Sequence, residues 1–162
     1  MTVAVRPIQG SDWPAIDAIQ RQAYPDDLHE EIAVLQQKQQ RSPDTCWVVT
    51  DGDDQVAGYL LAHRWPSATD VPALDQPLPA IGGNVMYIHD MALAPSARGR
   101  RLSRLLWQEL IEQVRRENLT TLALVAVNDS QDYWQHRGFE ITAPVAPEKG
   151  YGNRAVQMVM TL

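Results

Sequence analysis

The 162-residue sequence has one cysteine, one phenylalanine, and 14 basic residues against 20 acidic ones, for a net charge of −6. A lone Cys46 cannot close an internal disulfide, and its place inside "CWVV" reads as a buried strand position. A reducing cytoplasm is the expected setting. No stretch approaches the roughly 18 consecutive apolar residues of a membrane helix, and "MTVAVRPIQGSDW" lacks the basic, apolar and small-residue regions of an export signal. A membrane partner is therefore not expected. The acidic balance argues against nonspecific nucleic-acid binding, which a basic face rewards. No metal is expected either, since His29 and its neighbouring glutamates lack a metal-ligand spacing. Neither GxxxxGK[ST] nor GxGxxG occurs, so the usual nucleoside triphosphate and dinucleotide cradles are missing.

What is present is globular: 44% hydrophobic and 21% charged residues, enough chain for one core, read as a single domain over 1–162. "VAVRPI" alternates as a first strand, and Ser11 or Asp12 offers an N-cap for a helix to about Gln22. "PDDLHEEIAVLQQKQQ" restarts a helix, with Asp27 and Glu30 at capping-box spacing. "TCWVV" and "QVAGYLLAHRW", joined by "TDGDD", read as a hairpin. The stretch from Pro66 to Gly83 holds four prolines and reads as a loop, after which "NVMYIHDMALA" resumes a strand. Leu102, Leu105, Leu106, Leu110, Ile111 and Val114 recur with helical period, "LALVAV" is apolar on both faces, and a short helix ends at Gly138 before two last strands. The order implies an α/β (α+β) domain, with one mixed sheet flanked by helices and a parallel strand–helix–strand unit at about 85–127.

The charge is not spread evenly. Arg98, Arg100, Arg101 and Arg104 lie within seven positions, where a strand gives way to a helix. A helix N-terminus offers free N–H groups and partial positive charge, so cations there oppose the dipole. A polyanion of pyrophosphate size would justify them; a solvated basic patch is the alternative the residues leave open.

"YIHDMALAPSARGRRLSRLLWQELI" resembles the central motif of the GNAT superfamily of N-acetyltransferases, a strand, a Pro, an Arg/Gln-x-x-Gly-x-Gly/Ala loop and a helix. "VNDSQDYWQHRGFE" is similar to its next motif, and the element order agrees along nearly the whole chain. The resemblance implies a mixed, mostly antiparallel sheet with a central splayed parallel pair, flanked by about four helices. It implies acetyl-CoA as cosubstrate and transfer of its acetyl group to a primary amine by direct attack in a ternary complex. Arg98, Gly99, Arg100, Arg101, Leu102 and Ser103 would surround the pyrophosphate. Met91, Ala92 and Leu93 would offer backbone groups to the pantetheine arm and the thioester carbonyl, and Asn128 would contact that arm. Arg101 stands where the family has its first loop glycine, so the loop is expected to avoid positive φ there or to be displaced.

The family's general acid is a Tyr at the place held by Trp134, which has no proton to give; Tyr133 is its neighbour, about 100° away round the helix. Candidate bases are His89 and Asp90. Strand alternation expects Tyr87, His89, Met91 and Leu93 on one face and Ile88, Asp90 and Ala92 on the other. The acceptor pocket is expected from the first two helices and their connection, Tyr24, Asp26 and His29 with Asp27, Glu30 and Glu31 beside them, together with Tyr87. A monomer or homodimer is expected. Two rivals stand: a noncatalytic CoA-binding or sensor module on the same fold, and an interaction domain whose arginines hold an acidic partner.

Overall fold

A computed structural model describes residues 2–79, 82–127 and 129–162. Among them are seven strands and four α-helices: β1 (Ala4–Pro7), α1 (Trp13–Ala23), α2 (Ile32–Arg41), β2 (Cys46–Thr50), β3 (Val56–Trp65), β4 (Val85–Leu93), α3 (Leu102–Arg116), β5 (Thr121–Ala126), α4 (Gln131–Arg137), β6 (Glu140–Pro144) and β7 (Val156–Thr161). The strands form one sheet in the order β1-β2-β3-β4-β5-β7-β6. Every adjacent pair is antiparallel except β4 and β5.

The apolar stripes dictate the layers. Leu102, Leu106, Leu110 and Val114 of α3, with Trp134 of α4, bury one face of the sheet against Leu60, Met86, Ile88, Leu122 and Leu124. Ile16 and Ile19 of α1 and Leu35 of α2 bury the opposite face against Val48, Tyr59, Leu61 and Ala92. A third cluster, around Val71, Tyr87 and Tyr151, closes that second face under the stretch from Ala68 to Leu74.

Three local expectations yield to tertiary contacts. First, the α2 cap is not at Asp27: Asp26–Leu28 is a single 3-10 turn, Glu31 is extended, and the helix begins at Ile32. Glu30, the residue expected to close the capping box, is instead drawn inward. Its N–H donates to Gln20 Oε1 (3.1 Å), and its carboxylate joins a buried ion cluster. Second, β4 does not alternate throughout. Ala62 pairs with Ile88 and Leu61 with Asp90, which leaves His89 as a bulge. The extra residue inverts the pattern beyond it: Asp90 and Ala92 join Tyr87 and His89 on the α1/α2 face, while Met91 and Leu93 pack on the α3 side. Third, Arg101 does take positive φ, +61°, as the residue before α3, and Gly99 precedes it at +80°.

Candidate active site

The parallel pairing of β4 and β5 is short. Val85–Ile88 match Thr121–Leu124; among the described residues, from His89 onward β4 keeps only β3 as a neighbour, and beyond Leu124 β5 keeps only β7. Two strands that part leave backbone groups without ladder partners, and a cavity of about 530 Å³ opens in the gap. Its walls are Ile88–Leu93 of β4, Leu124, Val125 and Val127 at the end of β5, Arg98, Gly99 and Ser103 at the start of α3, Ser130, Tyr133 and Trp134 of α4, and Ala23 and Tyr24 of α1. At its inner end a smaller cavity of about 50 Å³ shares Tyr24, His89, Asp90, Val125 and Val127, and adds Leu28, Glu30, Leu74 and Tyr151.

At the outer end, the amides of Gly99, Arg101, Leu102 and Ser103 find no acceptor among the described residues. The side chains of Arg98, Arg100, Arg101 and Arg104 are exposed and form no ion pair among those residues. Free donors, helix dipole and unneutralised guanidinium groups together are the chemistry that an anion would need at the mouth of the cavity. Arg98, Gly99 and Ser103 line the cavity itself; Arg100 and Arg101 stand outside it, and Leu102 packs into the core. Met91, Ala92, Leu93, Tyr133 and Trp134 all line it. Asn128 lies outside the described residues. Tyr133 is 39% exposed, and its hydroxyl accepts a 3.1 Å hydrogen bond from Arg137 Nη2. The Arg137 guanidinium lies 5.4 Å from the ring centres of both Trp107 and Tyr133. Trp134 is buried against Trp107 and Phe139.

At the inner end the bulge sets two polar networks side by side. In one, His89 Nε2 and Glu30 Oε1 are 2.5 Å apart, and Lys38 Nζ is 3.5 Å from Glu30 Oε2. The Asp75 amide donates to Glu30 Oε2 at 2.9 Å. Burial pushes the Glu30 carboxyl up, but His89, Lys38 and the Asp75 amide together outweigh it and hold it at about 2. Burial lowers Lys38, against the pull of Glu30. The His89 ring has no exposed surface, so the histidine reaches the cavity only through its backbone. In the other network Asp90 accepts from Tyr24 Oη at 2.6 Å on Oδ1 and from Tyr59 Oη at 2.5 Å on Oδ2. Burial raises Asp90, while the two hydroxyls and His89 pull it down.

The remaining acceptor candidates are placed apart from this junction. Asp26 is fully exposed, and His29 braces the α1–α2 turn through Nε2 and Tyr24 O at 2.7 Å. Tyr87 is buried with its hydroxyl 3.1 Å from that of Tyr151. None of these three lines either cavity. Lys38 and Tyr59 escaped the sequence reading. Lys38 had one signal, its i+3 spacing from Leu35 on the apolar stripe of α2; Tyr59, inside an apolar strand, had none. Cys46 is buried, its thiol pushed up to about 12 by burial.

The model of the acetyltransferase (GNAT) family matches residues 11–139. No curated protein matches the sequence. Among solved structures, the chain is similar to Ard1 from Thermoplasma volcanium (16% identity, TM-score 0.77, covering 100% of this chain and 99% of that one). It is also similar to the GphF GNAT-like decarboxylase in complex with isobutyryl-CoA (17%, TM-score 0.80, 98% of each chain). A GCN5-related N-acetyltransferase from Kribbella flavida shares 23% identity with a TM-score of 0.68, over 99% of this chain and 98% of that one. At these identities the structural likeness speaks for the fold alone.

Proposed function

Since the chain belongs to the GNAT acetyltransferase family, a family of acyl transfer from coenzyme A, we propose that it is an N-acetyltransferase. Residues 1–162 act as one domain that moves the acetyl group of acetyl-CoA to a primary amine, on a small molecule or a protein, by direct attack in a ternary complex. The observation that carries this reading is the continuity of the gap between β4 and β5. It runs from the arginine-lined anion site to the Tyr24–Asp90 junction, so one slender ligand with a pyrophosphate at one end and a thioester at the other matches its chemistry along its length. The isobutyryl-CoA of the GphF decarboxylase supports an acyl-CoA in this fold.

In this reading Arg98 and the free amides of Gly99 and Ser103 hold the pyrophosphate. Backbone N–H groups that face the gap from the end of β4 that has left β5, within Met91 to Leu93, polarise the thioester carbonyl. Asp90, which lines both cavities, takes one proton from the acceptor ammonium. The amine lone pair then forms the C–N bond as the C–S bond breaks; the electron pair leaves on sulfur, which takes a second N–H proton. His89, sealed behind the backbone and bonded to Glu30, is a structural partner of that carboxylate. Trp134 packs against the arm, and Tyr133, partly exposed at the same wall, is the hydroxyl within reach of the departing sulfur. Cys46 takes no part, since a buried, protonated thiol is no nucleophile.

Isothermal titration with acetyl-CoA, with desulfo-CoA and adenosine diphosphate as controls, followed by thiol release with a panel of primary amines, tests the proposal. Micromolar binding, much tighter than that of adenosine diphosphate, with amine-dependent thiol release supports it. Binding without turnover on any amine would favour the noncatalytic module. No binding at millimolar acetyl-CoA would favour the interaction domain.

A further inference from the structure

Of the two networks at the β4 bulge, the Glu30–His89–Lys38 cluster is satisfied within the protein, whereas Asp90 lines both cavities. Each Asp90 oxygen accepts one hydroxyl and, having two lone pairs, keeps one for a further partner. The two hydroxyls differ in position. Tyr24 closes α1 and itself lines both cavities; Tyr59 is fully buried on β3 and lines neither. The Tyr59 ring packs among Ile16, Ile19, Leu35 and Leu61, where phenylalanine would serve, and among the described residues its hydroxyl bonds only to Asp90. A buried hydroxyl carries a desolvation cost that apolar packing does not need.

We infer that Tyr59 is a positioning residue for acetyl transfer: through Oδ2 it holds the Asp90 carboxylate so that its free lone pairs face the junction of the two cavities, where the acceptor ammonium gives up its proton. The inference rests on the acetyl-transfer reading. The proton balance is that of the reaction: one ammonium proton passes to Asp90 and then to solvent, the second N–H proton passes to sulfur, and the third stays on the amide product. The titratable groups facing Asp90 are Tyr24 from α1, Tyr59 from β3, His89 and Tyr87 on β4, Glu30 before α2, Tyr151 ahead of β7 and, more distantly, Lys38 on α2. Tyr59 and Tyr24 favour the charged carboxylate by hydrogen bonding, so losing either raises the pH at which Asp90 ionises.

The test uses the full chain with ¹³C-labelled aspartate. The Asp90 carboxyl is assigned with Asp90→Asn and titrated by NMR, and thiol release from acetyl-CoA with propylamine is followed over the same pH range. In Tyr59→Phe the Asp90 midpoint and the acidic limb of the rate profile should rise together by about one pH unit, the scale of one hydrogen bond to a charged group. Acetyl-CoA affinity should stay within about twofold, and the rate should recover at high pH. Tyr24→Phe should raise the midpoint likewise and also alter KM for propylamine. A Tyr59→Phe loss that is the same factor at every pH, or an Asp90 midpoint that stays in place, overturns the inference while leaving acetyl transfer standing. Absence of acetyl-CoA binding and thiol release in the unsubstituted protein overturns both.

Discussion

His63 sits on β3 with Nδ1 2.8 Å from Arg64 O, and its buried Nε2 has no hydrogen-bond partner among the described residues. Burial lowers it from the ordinary 6.5 to about 3, so the native ring is neutral. Because the folded value lies below the unfolded one, the stability it contributes is complete above pH 6.5 and is lost as pH falls from 6.5 toward 3. Each pH unit in that window costs up to about 1.4 kcal/mol, and His63→Phe should flatten the slope above pH 4.5 in urea titrations run at several pH values. Glu30 acts lower, its contribution present above 4.5 and lost toward 2. Glu30→Gln leaves the buried Lys38 ammonium without its counter-charge and should cost about 3–5 kcal/mol at neutral pH. Adding Lys38→Met should recover much of that loss in the same denaturation experiment; no recovery would mean that the Glu30 carboxylate matters through His89 and the Asp75 amide instead.

At the scale of elements, the junction of β4 and α3 carries two local irregularities with separate consequences. The bulge at His89 turns Asp90 toward Tyr24 and Tyr59; regular alternation would have aimed it at the α3 layer. The start of α3 sets Arg101 at φ +61°, which costs an L-residue about 1–2 kcal/mol relative to glycine. Arg101→Gly should therefore raise stability by about 1 kcal/mol in thermal denaturation and yet weaken acetyl-CoA binding by up to about 10-fold in titration. A variant that is more stable and binds equally well would show that the Arg101 charge is idle. Arg98→Ala with Arg101→Ala should weaken binding by about 10- to 100-fold, the loss of one or two charge-assisted contacts. An unchanged dissociation constant would remove the pyrophosphate from this loop.

Across the whole molecule, a chain of net charge −6 presents four arginines at the mouth of one cavity, without ion-pair partners among the described residues. Exposed charges are screened within about 8 Å at physiological salt, so acetyl-CoA affinity should fall several-fold between 50 and 500 mM KCl. The Arg98→Ala/Arg101→Ala protein should show a shallower salt slope, and equal slopes would assign the binding energy to amides and apolar walls. The sequence by itself determined the elements and their order, because helical and strand periods are local, as in the α3 stripe from Leu102 to Val114 and the αL stop at Gly138. It also determined that positive charge gathers between β4 and α3, since a run of arginines needs no partner to be read. Tertiary structure alone decided which carboxylates meet the gap. The bulge exists only through the register of β4 on β3, and the partners of Asp90 lie 31 and 66 residues away. The α2 start likewise moved to Ile32 because Glu30 found Lys38 and His89 across the core. A buried charge is positioned by whatever neutralises it, and that partner can be anywhere in the chain.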